Sequence, residues 1–330
     1  MTTPQELREL VKGLTFVTVT PFDEDGRLDL DAYRYNVRWM MEKTKGIECC
    51  ITPCGSNGEF AHMNEDEHKA VLKACIEEVR GQHPVIAGAG AASTYHTIRM
   101  SQYAQEIGAD GVQIILPYYF VPTEEGMLLH FKKLAEAIDI GIVVYNNPMF
   151  TSSWIKPQLM LKIIDACNGK ISGVKENTPH LMLFDALCKA LKPTGVGVVS
   201  GMGEKWYAYQ FPYGAAGMLS PFGNFFPEYP IEMYKASKKN DFDKIRSLLE
   251  MMDPYYSFVG RCSKKYGDTS IQPKPGGAIY GEGNLRFGIT KAAMNLVGLK
   301  GGHMRLPLTG ISQEETEELK GILKNLGLIS

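Results

Sequence analysis

Eight short apolar runs constrain this chain more than any other feature. They are Leu14–Phe22, Ile47–Cys54, Pro84–Gly90, Gly111–Pro117, Gly141–Pro148, Ile171–Glu176, Val196–Gly201 and Gly214–Ser220. Together they are rich in Val and Ile, and they do not alternate apolar with polar. That is the pattern of strands buried on both faces of a parallel sheet. Most are followed by a longer stretch of helical period. Asp31–Glu42, Asp66–Arg80 and Glu124–Ile138 each gather apolar side chains on one face. Asn64 and Thr123 are capping candidates just before two of them. Strands alternating with helices imply right-handed βαβ units. Eight units within about 220 residues predict an α/β fold, a (β/α)8 TIM barrel. A doubly wound open sheet is the competing fold, but GAGAAS at 88–93 lacks the GxGxxG spacing of a dinucleotide loop.

After the eighth run, Pro230–Ser237, Phe242–Met252, Ile289–Leu296 and Gln313–Leu326 carry helical period. The expected organisation is a catalytic barrel over 1–225 and a C-terminal helical extension over 226–330. Between the helices, Lys264–Gly283 is polar and rich in Gly, Lys and Pro, and reads as one long loop able to act as a lid.

Composition narrows the function. Thirty-five basic residues against 37 acidic give a net charge of −2, with no basic cluster, which argues against nucleic acid as a partner. At 44% hydrophobic content the chain has enough apolar surface to fold. No apolar run approaches the ~20 residues of a membrane-spanning helix. The opening MTTPQELRELVKG has no signal-peptide block, so a cytoplasmic protein is expected. Seven cysteines without paired spacing read as reduced thiols. Cys54, at the end of a run, is either a reactive thiol or a buried one. The scattered histidines suggest no metal site.

In such a barrel the chemistry sits at the C-terminal ends of the strands. Lys175 stands in the apolar run ISGVKE. Burying an ammonium there is costly and favours the neutral, nucleophilic amine that a Schiff base needs. The competing reading is a strand-exit lysine paired with an acid such as Glu176 or Glu59. Tyr145 ends the preceding run, within reach of a proton relay to that amine. The turn Gly55-Ser56-Asn57-Gly58 offers N–H groups, a hydroxyl and an amide to a carboxylate. Tyr118 and Tyr119 end the fourth run, and Gly201 and Leu219 stand at the ends of the seventh and eighth.

These features occur together, and through them the chain resembles the dihydrodipicolinate synthase / N-acetylneuraminate lyase family of class I, pyruvate-handling aldolases. The motifs are Gly55-Ser56-Asn57-Gly58-Glu59, Pro117-Tyr118-Tyr119, Tyr145-Asn146-Asn147-Pro148 and Gly173-Val174-Lys175-Glu176. The resemblance implies that Lys175 forms the imine with pyruvate or another 2-oxo acid. It implies that Tyr145 shuttles protons, with Ser56 and Tyr119 as the relay. Tyr119 would be donated across a dimer interface of a homotetramer built as a dimer of dimers. Gly55, Ser56, Asn57, Phe150, Gly201 and Leu219 are the expected substrate-binding positions. An aldehyde would be the second partner, and no metal or organic cofactor is implied.

Two departures matter. Position 57, usually Thr, is Asn, which cannot pass a proton as a hydroxyl does. Two residues past Pro148, where the synthases carry an Arg for the second carboxylate, stands Phe150. A phenyl ring does not replace a guanidinium, which argues against dihydrodipicolinate synthase itself. Phe120, Trp154, Trp206 and Phe222 would suit an aromatic hydratase-aldolase. Glu204 and Lys205 would suit a 2-keto-3-deoxy sugar acid dehydratase or aldolase. A non-catalytic barrel sensing a 2-oxo acid would not need both Lys175 and Tyr145.

Overall fold

The computed structural model describes residues 2–266 and 285–330. Each of the eight runs contributes one strand: β1 (Leu14–Val17), β2 (Cys49–Thr52), β3 (Ile86–Gly88), β4 (Gly111–Ile115), β5 (Gly141–Asn146), β6 (Ile171–Glu176), β7 (Gly197–Ser200) and β8 (Gly217–Ser220). All pair in parallel, in the order β2-β1-β8-β7-β6-β5-β4-β3. A parallel bridge from Ile51 to Val85 then joins the two ends, so the sheet closes into a TIM barrel. Every strand residue is buried, because helices cover the outside and side chains fill the inside.

The helices begin where their caps place them. Asn64 accepts from Glu67 N at 2.9 Å, and Thr123 accepts from Gly126 N at 3.1 Å. GAGAAS is a packing device. A Cβ on Gly88 would lie 2.1 Å from the Cys54 carbonyl oxygen, and one on Gly90 would lie 2.7 Å from Ile115 Cγ2. Only glycine lets the backbone run that close to its neighbours.

The short helix Pro4–Leu10, within the opening segment that lacks a signal-peptide block, seals the opposite end of the barrel. Its Leu7 and the following Val11 pack with Cys50, Ile86 and Val143 near the strand starts. The mouth at the strands' C-terminal ends therefore remains as the route into the interior.

The C-terminal extension is helical: Glu228–Lys238, Phe242–Tyr266, Leu285–Leu296 and Gln313–Asn325. The second of these runs beyond Met252, through Pro254, to Tyr266. A proline in a helix interior costs a hydrogen bond. Here the buried face of Met252, Tyr255, Phe258 and Val259 carries the helix through it. Lys264–Tyr266 thus belong to a helix and not to the expected loop, and the rest of that loop lies outside the described residues. The third helix starts one turn before the expected Ile289. Its Lys291 is buried and ion-paired with the buried Glu59 of the loop after β2, so the extension is tied to the barrel mouth. Among the described residues no helix is long and apolar enough to cross a membrane.

Candidate active site

The register of β5 on β6 sets Tyr145 directly beside Lys175. Both side chains are buried, at 3% and 4% exposure. Lys175 Nζ lies 3.7 Å from the centroid of the Tyr145 ring. Because successive strand residues face opposite ways, Glu176 points away from Lys175. Its carboxylate accepts from Asn146 Nδ2 at 2.8 Å and from Thr178 N at 2.6 Å. Glu59 is occupied by Lys291. Neither acid neutralises Lys175, so the paired-lysine reading has no support among the described residues. Burial drives the Lys175 ammonium below its ordinary pKa, and the Arg286 charge acts in the same direction, against an opposing pull from Tyr145.

The Tyr145 hydroxyl accepts from Asn147 Nδ2 at 2.8 Å and lies 3.4 Å from Ser56 Oγ. Burial alone would raise its pKa. The charge of Lys175, the bond to Ser56, the charge of Arg286 and the bond to Asn147 outweigh burial and bring it below the ordinary phenol value. With Asn147 donating, the phenol's own proton is left for Ser56 or a substrate. Ser56 and Asn57 open a single 3₁₀ turn, Ser56–Gly58, closed by Gly58 N to Gly55 O at 2.9 Å. The first N–H groups of such a turn find no partner inside it, which suits an anion.

Lys175 and Asn57 line a cleft of about 160 Å³ at the barrel mouth, together with Phe150, Gly201 and Leu219. Gly201 is there of necessity. A Cβ would lie 1.8 Å from Asn177 Oδ1 and 2.9 Å from Lys175 Cγ. Glu204, Lys205, Trp206 and Phe222 line the same cleft, whereas Trp154 and Phe120 do not. Tyr119 is 79% exposed, edge-on to Phe120 at 4.8 Å, and does not enter this chain's own site. Cys54 is 1% exposed and burial lifts its thiol pKa well above the ordinary value, so it is an inert thiol.

Sequence reasoning missed two site residues. Asn147 was part of a quoted motif, but nothing in its spacing indicated the bond to Tyr145. Arg286, on the Leu285–Leu296 helix, lines the cleft and biases both titrating partners. A lone arginine far along the chain gives no such signal.

Residues 10–257 match the model of the dihydrodipicolinate synthetase family. The chain is a member of that family. It is 32% identical over 320 residues to a 4-hydroxy-tetrahydrodipicolinate synthase of Methanocaldococcus jannaschii, covering 97% of this chain and 100% of the relative. A synthase of the same name from Methanopyrus kandleri is 31% identical over 97% of each chain. The crystal structure of dihydrodipicolinate synthase from Thermotoga maritima superposes with a TM-score of 0.80 at 30% identity, over 96% of this chain and 99% of that one. Dihydrodipicolinate synthetase family enzymes are class I lyases and synthases that act with pyruvate through a lysine imine, and this chain is an enzyme of that type.

Proposed function

We propose that Lys175 forms an imine with pyruvate and that the enzyme makes or breaks a carbon–carbon bond to an aldehyde. The observation that carries this is the pair itself: a buried lysine, with no acid paired to it among the described residues, 3.7 Å from the ring of a buried tyrosine. The neutral Lys175 amine attacks C2 of the 2-oxo acid. The Tyr145 phenol protonates the departing C2 oxygen, which leaves as water. In the cleavage direction, the electrons of the C3–C4 bond move to the iminium nitrogen. The C4 hydroxyl gives its proton to the Tyr145 phenolate and the aldehyde departs. The enamine takes a proton at C3, and water releases pyruvate. The imine is the electron sink, so we propose that no metal or organic cofactor takes part. Ser56 extends the relay from Tyr145, while the Gly55–Asn57 turn holds the 2-oxo carboxylate.

The exposed Tyr119, Phe120 and Val121 support a dimer in which Tyr119 completes the neighbouring site. A dimer of dimers in the cytoplasm fits this reading. Phe150 lines the cleft where the resemblance calls for an arginine. This supports an acceptor held differently from that of dihydrodipicolinate synthase.

Borohydride trapping with pyruvate, followed by peptide mass spectrometry, tests the reading. A reduced adduct is expected on Lys175 and is expected to vanish in Lys175→Ala. Full lyase activity in Lys175→Ala would sink it.

A further inference from the structure

We propose that Arg286 binds a second carboxylate, carried by the aldehyde half of the substrate, and so makes the enzyme selective for carboxylate-bearing aldehydes. This rests on the imine reading of the same cleft. The guanidinium stands in the cleft with Lys175 and Phe150. Its Nε is buried without a hydrogen-bond partner, and among the described residues no carboxylate pairs with it. A half-buried guanidinium left in that state is expensive unless a ligand completes it.

The neighbouring charges are accounted for. Glu59 is taken by Lys291, and Glu67 by Arg305 at 2.6 Å. Lys205 lies 3.9 Å from Asp253 and over the Tyr256 ring. Among the described residues Glu204 is the one acid lining the cleft, and its carboxyl interacts with Ser220. Among the described residues, therefore, no acid pairs with either of the two basic side chains Lys175 and Arg286 in the cleft. Lys175 is consumed by the imine, and the carboxylate of pyruvate is accounted for by the Gly55–Asn57 turn. Arg286 is left for a second anion. Its fork of N–H donors matches a carboxylate bidentately.

The position is held firmly. Arg286 lies in the first turn of a helix whose Lys291 pairs with Glu59 and donates to the His303 carbonyl at 2.6 Å. Aromatic walls from Phe150, Trp206 and Phe222 lie in the same cleft. They suit an apolar spacer between the reacting carbon and the anion.

The test compares matched aldehydes with pyruvate in the full-length enzyme: 4-carboxybenzaldehyde against 4-methylbenzaldehyde, and succinic semialdehyde against butanal. Wild type should favour the carboxylate member of at least one pair by roughly ten- to hundredfold in kcat/KM. In Arg286→Gln that ratio should fall towards one, chiefly through KM for the carboxylated aldehyde. Arg286→Lys should recover part of it. A wild-type ratio near one in both pairs overturns the proposal. So does an Arg286→Gln enzyme that keeps the ratio while its KM for pyruvate rises, which would assign the guanidinium to the 2-oxo carboxylate. Absence of a pyruvate adduct on wild-type Lys175 would instead defeat the imine reading, which separates the two failures.

Discussion

At Lys175 burial and charge oppose each other. Desolvation and Arg286 favour the neutral amine, and Tyr145 favours the ammonium, with the balance below the ordinary lysine value of 10.5. The rate of adduct formation with pyruvate should therefore rise with pH and level off below that value. An acid limb centred at the ordinary lysine pKa would contradict this. Tyr145→Phe removes the proton carrier and should lower kcat about 10²- to 10⁴-fold, with the Lys175 adduct still detectable by slow trapping. Glu204 makes a prediction about stability. It is 1% exposed, and burial pushes its carboxyl up to about 7, against partial relief from Ser220. The folded state holds the proton more tightly than the unfolded chain. Stability from this group is thus present at acid pH and is lost as pH rises towards 7. Glu204→Gln should be more stable than wild type at pH 8 by roughly 3 kcal/mol. The gain should be absent near pH 4, as read by urea unfolding at both values.

Among the elements, neighbouring strands do the positioning. Gly201 follows β7 and leaves the space that the Lys175 stem and the Asn177 amide occupy. Gly201→Ala should keep the far-UV spectrum of the barrel and slow adduct formation, since the nucleophile is displaced. The Leu285–Leu296 helix is fixed through Lys291. Lys291→Met strands the buried Glu59 carboxylate and should cost about 3–5 kcal/mol, measurable by denaturant melts. The strands were legible because a barrel strand buried on both sides must be apolar throughout. A lysine in one of them stood out for the same reason, and Tyr145 followed from strand order. What stayed hidden was set by tertiary packing. The helix through Pro254 is carried by buried aromatics that local propensity does not weigh. Arg286 reaches the cleft on a helix that packs against two others and is tied to the barrel by the Lys291–Glu59 ion pair. Asn147 acts beyond the end of a strand, where side-chain direction is not periodic.

For the whole molecule, the proposed dimer turns on Tyr119. Tyr119, Phe120 and Val121 are exposed apolar surface, and the proposed dimer would bring Tyr119 to the neighbouring site. Light scattering should find a dimer or tetramer. Mixing Tyr119→Phe chains with Lys175→Ala chains after dissociation should restore activity, up to about a quarter of wild type for random pairing at a two-fold interface. No recovery would mean that each site is complete in its own chain. The separation between β6 and the Leu285–Leu296 helix carries a historical consequence. On the two proposals, the imine lysine and the arginine that holds the aldehyde's carboxylate stand on stretches of polypeptide more than a hundred residues apart. Drift in the tail can therefore retarget the enzyme to a new aldehyde while the imine machinery is inherited intact, and grafting tails between relatives should transfer their preferences.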